Sequence, residues 1–171
     1  SFSLDGKWLA FAAQYEGPSE LYVMPADGGS PRRLTWETAN PSFTGWTPDG
    51  RVMCATRLWS GLPSHRLATL AVDGSGWEPV PLAQASEGTW SADGRTLVFT
   101  RFAFQGSSTK RYQGGTAQNL WRWTRGEAEA VPMTADFAGT SRAPLWWGGR
   151  ILFLSDRSGV MNLWSMQPDG K

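Results

Sequence analysis

Asp49-Gly50-Arg51-Val52-Met53-Cys54-Ala55 carries the pattern that decides the fold: an acidic residue, a glycine, a basic residue and a short apolar run. Glycine accepts the positive φ of a tight turn, so Asp-Gly beside apolar residues is a strong hairpin signal. The pattern recurs at Asp5-Gly6-Lys7 and Asp93-Gly94-Arg95, each 44 residues from the central copy. A fourth copy is degenerate, with Gly148-Gly149-Arg150 in place of Asp-Gly-Lys/Arg.

A second strand follows each turn and its run: Leu21-Tyr22-Val23-Met24, Leu67-Ala68-Thr69-Leu70, Leu120-Trp121-Arg122-Trp123 and Leu163-Trp164-Ser165-Met166. A third short strand ends in Arg33-Leu34-Thr35, Val80-Pro81-Leu82 or Pro132-Met133-Thr134. Aromatic segments, Phe43-Thr44-Gly45-Trp46, Gly88-Thr89-Trp90 and Leu145-Trp146-Trp147, lead into the next copy.

Four strands in about 44 residues is the period of a β-propeller blade. The repeats fall at about 1–40, 41–85, 86–139 and 140–171 and hold three, four, four and three strands. The expected fold is therefore all-β: a β-propeller fragment of two complete four-stranded blades plus two partial blades. A meander sandwich is the structural rival, which rarely carries so regular a repeat. A blade cannot cover its own faces, so its neighbours must, and tryptophans at the blade cores are expected to provide that burial. An arc of a larger ring would leave open strand edges that invite aggregation.

Composition agrees. With 20 Gly and 11 Pro, the longest stretch free of both runs only from Arg95 to Gln105, too short for an average helix. Sixteen basic against 15 acidic residues give a net charge of +1, which offers no field for nucleic acid or an anionic membrane. The longest apolar run, Trp8 to Ala13, is far below the span of a bilayer. Cys54, the single cysteine, reads as a buried apolar residue. The sequence opens at Ser1 inside a repeat, without an initiator Met or signal segment, and is expected to be a piece of a longer chain.

The residues offer little chemistry. His65 is the only histidine, and any Ser-His-acid arrangement must use it. It lies in an expected loop, Leu62-Pro63-Ser64-His65-Arg66, and no Gly-x-Ser-x-Gly turn supplies a nucleophile. Ser155-Asp156-Arg157-Ser158-Gly159 reads as a hairpin loop. One His and one Cys do not make a structural zinc set, and no phosphate loop appears, so no metal and no cofactor is expected.

The candidate site is an insertion. From turn glycine to the Leu of the next strand the distance is 15, 17 and 14 residues in three repeats but 26 in the third. A longer loop costs little extra closure entropy, and long loops on rigid scaffolds often bind. Within the inserted loop 102–119, Lys110, Arg111 and Tyr112 are the expected binding residues. Their expected contacts are a peptide carboxylate, an adjoining domain, or a fold-back in which Arg111 pairs with a blade carboxylate and Tyr112 packs.

The Pro/Ala-Asp-Gly turns, the Leu-Tyr/Trp strands and the Arg33-Leu34-Thr35 ending resemble the propellers of tricorn proteases, the periplasmic Tol system and prolyl oligopeptidases. Lys110-Arg111-Tyr112-Gln113-Gly114-Gly115, followed by Asn119-Leu120-Trp121, is more specific. It resembles the Lys-Arg-Tyr-Arg-Gly-Gly and Asp-Ile/Leu-Trp of the six-bladed propeller of tricorn proteases, with Gln113 for Arg and Asn119 for Asp. Flanking segments agree in order, from Gly45-Trp46-Thr47-Pro48-Asp49-Gly50 to Asn162-Leu163-Trp164, so the likeness covers essentially the whole chain.

The resemblance implies part of the N-terminal propeller of a cytoplasmic serine peptidase. In that family a second propeller, a PDZ-like domain and catalytic domains follow, and none of the catalytic positions maps onto these residues. It further implies other domains of the parent chain and peptides as partners, a homo-oligomeric parent, and a role in scaffolding and gating peptide passage. The alternative is a protein-interaction propeller of a Tol-type envelope module without peptidase activity.

Overall fold

A computed structural model describes residues 1–36, 39–61, 64–103 and 114–171. Among these residues fourteen strands form four antiparallel sheets, in the three, four, four, three distribution that the repeat predicts. The chain divides into two compact units, Ser1–Gln84 and Ala85–Lys171. No helix among the described residues is long and apolar enough to cross a membrane.

In the first unit, β1 (Trp8–Ala13), β2 (Glu20–Pro25) and β3 (Arg32–Arg33) make one sheet. β4 (Ser42–Trp46), β5 (Val52–Thr56), β6 (Arg66–Leu70) and β7 (Glu78–Pro79) make the other. Strand alternation puts Ala10 and Val23, directly paired, on one face of the first sheet. With Leu21 and Leu34 they pack on Trp46, Val52, Cys54, Ala68 and Leu70 of the second sheet. Cys54 is fully buried in that core, as its apolar setting predicts. Ahead of β1, Phe2 bridges to Leu9, and Ser1 exchanges backbone hydrogen bonds with Ala10. Residues 1–3 thus lie along β1 on the side opposite β2, as β4 lies along β5.

The second unit repeats the plan. β8 (Glu87–Trp90), β9 (Thr96–Thr100), β10 (Leu120–Thr124) and β11 (Val131–Pro132) form a sheet, facing β12 (Ser141–Trp147), β13 (Arg150–Ser155) and β14 (Asn162–Met166). Val98 and Leu120 pack on Ile151, Phe153 and Met166. Each such fully buried side chain contributes about 1.5–3 kcal/mol.

Two of the repeated turns share one chemistry, whereas in the central copy Thr47 Oγ1 accepts from Arg51 N at 2.9 Å. Ser3 Oγ donates to Asp5 Oδ1 at 2.6 Å and accepts from Trp8 N at 3.0 Å, while Lys7 N donates to Asp5 Oδ1 at 3.1 Å. Ser91, Asp93, Thr96 and Arg95 repeat these bonds at 2.5, 2.9 and 3.0 Å. Only the glycine of each turn adopts positive φ, 70° at Gly6 and 68° at Gly94.

Tryptophans meet the expectation in part: Trp46 joins the first core, Trp8 and Trp77 pack against it, Trp146 and Trp164 pack against the second, and Trp90 and Trp123 are buried, but Trp36 and Trp147 are 60% and 68% exposed. Two of the buried indoles find main-chain acceptors for their N–H. Trp46 Nε1 reaches Ser1 O at 3.1 Å, and Trp123 Nε1 reaches Glu127 O at 2.9 Å.

Candidate functional site

Lys110, Arg111 and Tyr112 lie outside the described residues, but the root of their insertion is defined. β9 ends at Thr100 and β10 begins at Leu120. The Phe102 carbonyl accepts from Thr100 Oγ1 at 3.2 Å and from Gln118 Nε2 at 3.0 Å, which draws the two ends of the insertion together. Gln118 is buried, and its carbonyl takes the Ser141 N–H at 2.8 Å, anchoring the root on β12. The Arg101 guanidinium stacks 3.4 Å from the centre of the Trp121 ring. Such a contact holds a cation over an aromatic face.

Beside this root, β8 and β12 form a polar seam. Glu87 spans it: Arg142 Nη2 donates to Oε1 at 2.6 Å and Ala143 N donates to Oε2 at 2.8 Å. Trp146 N donates to Thr89 Oγ1 at 3.2 Å. The Ala143 bond fixes a β-bulge between Arg142 and Leu145, where Ala143 sits at φ 48°. One carboxylate thereby sets the course of the strand that also holds the insertion. Sequence reasoning did not single out Glu87 or Arg142. The available signal was a charged residue at the start of each strand, 55 positions apart.

The remaining candidates assemble no catalytic group among the described residues. His65 makes no hydrogen bond there to a hydroxyl or carboxylate, and burial, then the Arg57 charge, holds its imidazole below the ordinary value. Ser155 Oγ meets Ser141 Oγ at 3.4 Å and Arg157 Nε at 3.3 Å, neither of them a base. The segment Ser155–Gly159 is the β13–β14 hairpin connection, closed by Gly159 N to Asp156 O at 2.8 Å. Asp156 Oδ1 accepts from Thr140 N at 2.9 Å. No group of three His, Cys, Asp or Glu side chains suited to a metal occurs among the described residues.

Comparison with known proteins fits this geometry. Residues 1–171 match the family described as the tricorn protease N-terminal beta propeller domain. Tricorn protease homolog 1 of Streptomyces coelicolor is 32% identical over 170 residues, covering 98% of this chain and 16% of the relative. Tricorn protease of Thermoplasma acidophilum is 28% identical over 161 residues, covering 90% of this chain and 15% of the relative. The chain therefore spans about a sixth of the length of these curated relatives. The crystal structure of the tricorn protease superposes with a TM-score of 0.84 at 25% identity, over 99% of this chain and 17% of that one. A putative TolB from Agrobacterium tumefaciens, at TM-score 0.76 and 20% identity over 99% of this chain and 60% of its own, shares the fold. With repeats, sheets and family model in agreement along its whole length, the chain belongs to the tricorn protease N-terminal β-propeller family.

Proposed function

We propose that this chain is a non-catalytic propeller segment of a tricorn-like serine peptidase, scaffolding its catalytic part and gating the passage of peptide substrate or product. The observation that carries the reading is the inserted loop, rooted through Phe102 and Gln118 on β12 in a chain of this family. Lys110 and Arg111 offer cations for a peptide carboxylate, and Tyr112 offers a ring for a neighbouring side chain. Other domains of the longer chain and transiting peptides are the partners, in a cytoplasmic homo-oligomer.

The test is Arg111→Ala in the full-length protein. Loss of a charge-assisted hydrogen bond is expected to lower turnover of long peptides about tenfold, or to shift assembly size, with short-substrate hydrolysis intact. Unchanged turnover of both peptide lengths with unchanged oligomer size removes the insertion from this role.

A further inference from the structure

Arg33, Arg125 and Arg157 lie over aromatic rings, and each also gives an N–H to a protein acceptor. Arg33, 5.8 Å from the Trp36 ring, bonds Glu16 and Glu20. Arg125, 4.6 Å from the Trp90 ring, donates from Nε to Gly94 O at 2.8 Å. Arg157 lies 5.2, 5.2 and 5.4 Å from the rings of Phe137, Phe153 and Trp164 and donates from Nε to Ser155 Oγ at 3.3 Å. Arg101 has a closer stack than any of these, 3.4 Å from the centre of the Trp121 ring, yet its guanidinium meets no acceptor among the described residues.

The placement of this cation is fixed from two directions. Trp121 stands inside its sheet, paired with Phe99 on one side and Pro132 on the other, which sets the ring. The backbone is held on both sides of Arg101, because Thr100 Oγ1 and the buried Gln118 Nε2 both donate to Phe102 O, at 3.2 and 3.0 Å. A guanidinium stacked by its face keeps its in-plane N–H groups for a ligand, and that fork matches the two oxygens of a carboxylate. Arg101 is half-buried and its nitrogens are open to solvent, whereas Arg157 Nη2 and Arg122 Nε are buried. Holding the cation in position beforehand removes the ordering cost that a free surface arginine carries.

We propose that Arg101, held on Trp121 at the foot of the inserted loop, is a receptor for a carboxylate of a bound peptide, from its C-terminus or from an Asp or Glu side chain. A single guanidinium balances the one charge of a carboxylate, while a phosphate group, with nearly two charges at neutral pH, would stay partly uncompensated. That the carboxylate belongs to a peptide rests on the proposed passage of peptides; the receptor itself rests on the geometry of Arg101.

The probes are acetylated tetrapeptides of D-amino acids, which a peptidase leaves intact: all-alanine as the free acid, all-alanine as the C-terminal amide, and the amide with one internal glutamate. Calorimetric titration of the full-length protein is expected to find a carboxylate peptide bound about tenfold or more tightly than the plain amide, the gain of a charge-assisted bond. The tighter of the two carboxylate peptides identifies the source. Arg101→Gln removes the preference, and Arg101→Lys, which keeps the charge but not the fork, retains only part of it. Arg111→Ala leaves the preference in place whether or not it alters long-peptide turnover, so this inference and the gating role fail separately. Three results overturn the inference: no carboxylate preference in millimolar peptide, a preference that survives Arg101→Gln or is undiminished in Arg101→Lys, or one that Arg111→Ala abolishes, which assigns the carboxylate to the inserted loop.

Discussion

Thr35→Val isolates the bond that ties an outer strand to its sheet. Valine matches threonine in shape and removes only the hydroxyl. Thr35 and Leu21 are fully buried and Glu20 is 1% exposed, so water does not replace what is lost. The Leu21 N–H loses its acceptor at 3.0 Å, a cost of about 1–3 kcal/mol for a buried unsatisfied donor. Glu20 Oε2 loses a hydroxyl donor, and a bond to a charged group adds about 1.5–3 kcal/mol, part of which the Arg33 contact to Oε1 at 3.2 Å retains. Together these predict a loss of about 3 kcal/mol. Thr134→Val removes the same amide contact but only a 3.4 Å approach to the neutral Asn119, and should cost about 1–2 kcal/mol. Urea unfolding of both variants beside the parent and Thr35→Ser measures the difference. Serine keeps the hydroxyl and should restore most of the stability. Equal costs for the two valine variants, or a serine variant as weak as the valine one, would refute the hydrogen-bond account.

Hydrogen bonds from Ser91 Oγ and then the Arg95 backbone hold the Asp93 carboxyl below the ordinary aspartate value, and Asp5 is lowered in the same way by Ser3 and Lys7. A lowered folded-state value means a stabilising contribution that is full above the unfolded carboxyl value and is lost as pH falls through the folded one. Carboxyl-detected NMR titration should find both groups low, and Ser91→Ala should raise Asp93 alone. Gly139→Ala places a methyl 2.5 Å from the Phe137 ring and 2.6 Å from Asp156 Oδ1, which accepts the Thr140 N–H. It should destabilise the chain by about 1–3 kcal/mol in urea, as overpacking does. Ala143→Gly relieves a residue at φ 48°, about 1–2 kcal/mol of strain against about 0.4–1 kcal/mol of added freedom in the unfolded chain, so urea unfolding should show a net gain of up to about 1 kcal/mol.

The repeat was legible because its chemistry is local. Ser3, Asp5 and Gly6 build their turn within a few residues, and Leu34-Thr35 and Met133-Thr134 mark the same place in two blades. The third strands were legible as segments but not as hydrogen-bonded lengths. β3 and β11 pair for only two residues, after which Thr35 and Thr134 side chains take the amides that a longer ladder would use. Composition counts rings without saying which of them join a core, as Trp46 does, and which stay exposed, as Trp36 and Trp147 do.

Amino-acid order along the chain was enough for strand number, turn positions, the buried Cys54 and the extra length between Gly94 and Leu120, since each follows from residues close in sequence. Glu87 meeting Arg142 and Ala143, and the bulge they fix beside the insertion's root, emerge only once β8 and β12 lie side by side. Contacts between residues more than fifty positions apart depend on how sheets stack, and that is settled by many burial and hydrogen-bonding terms acting together rather than by any local signal.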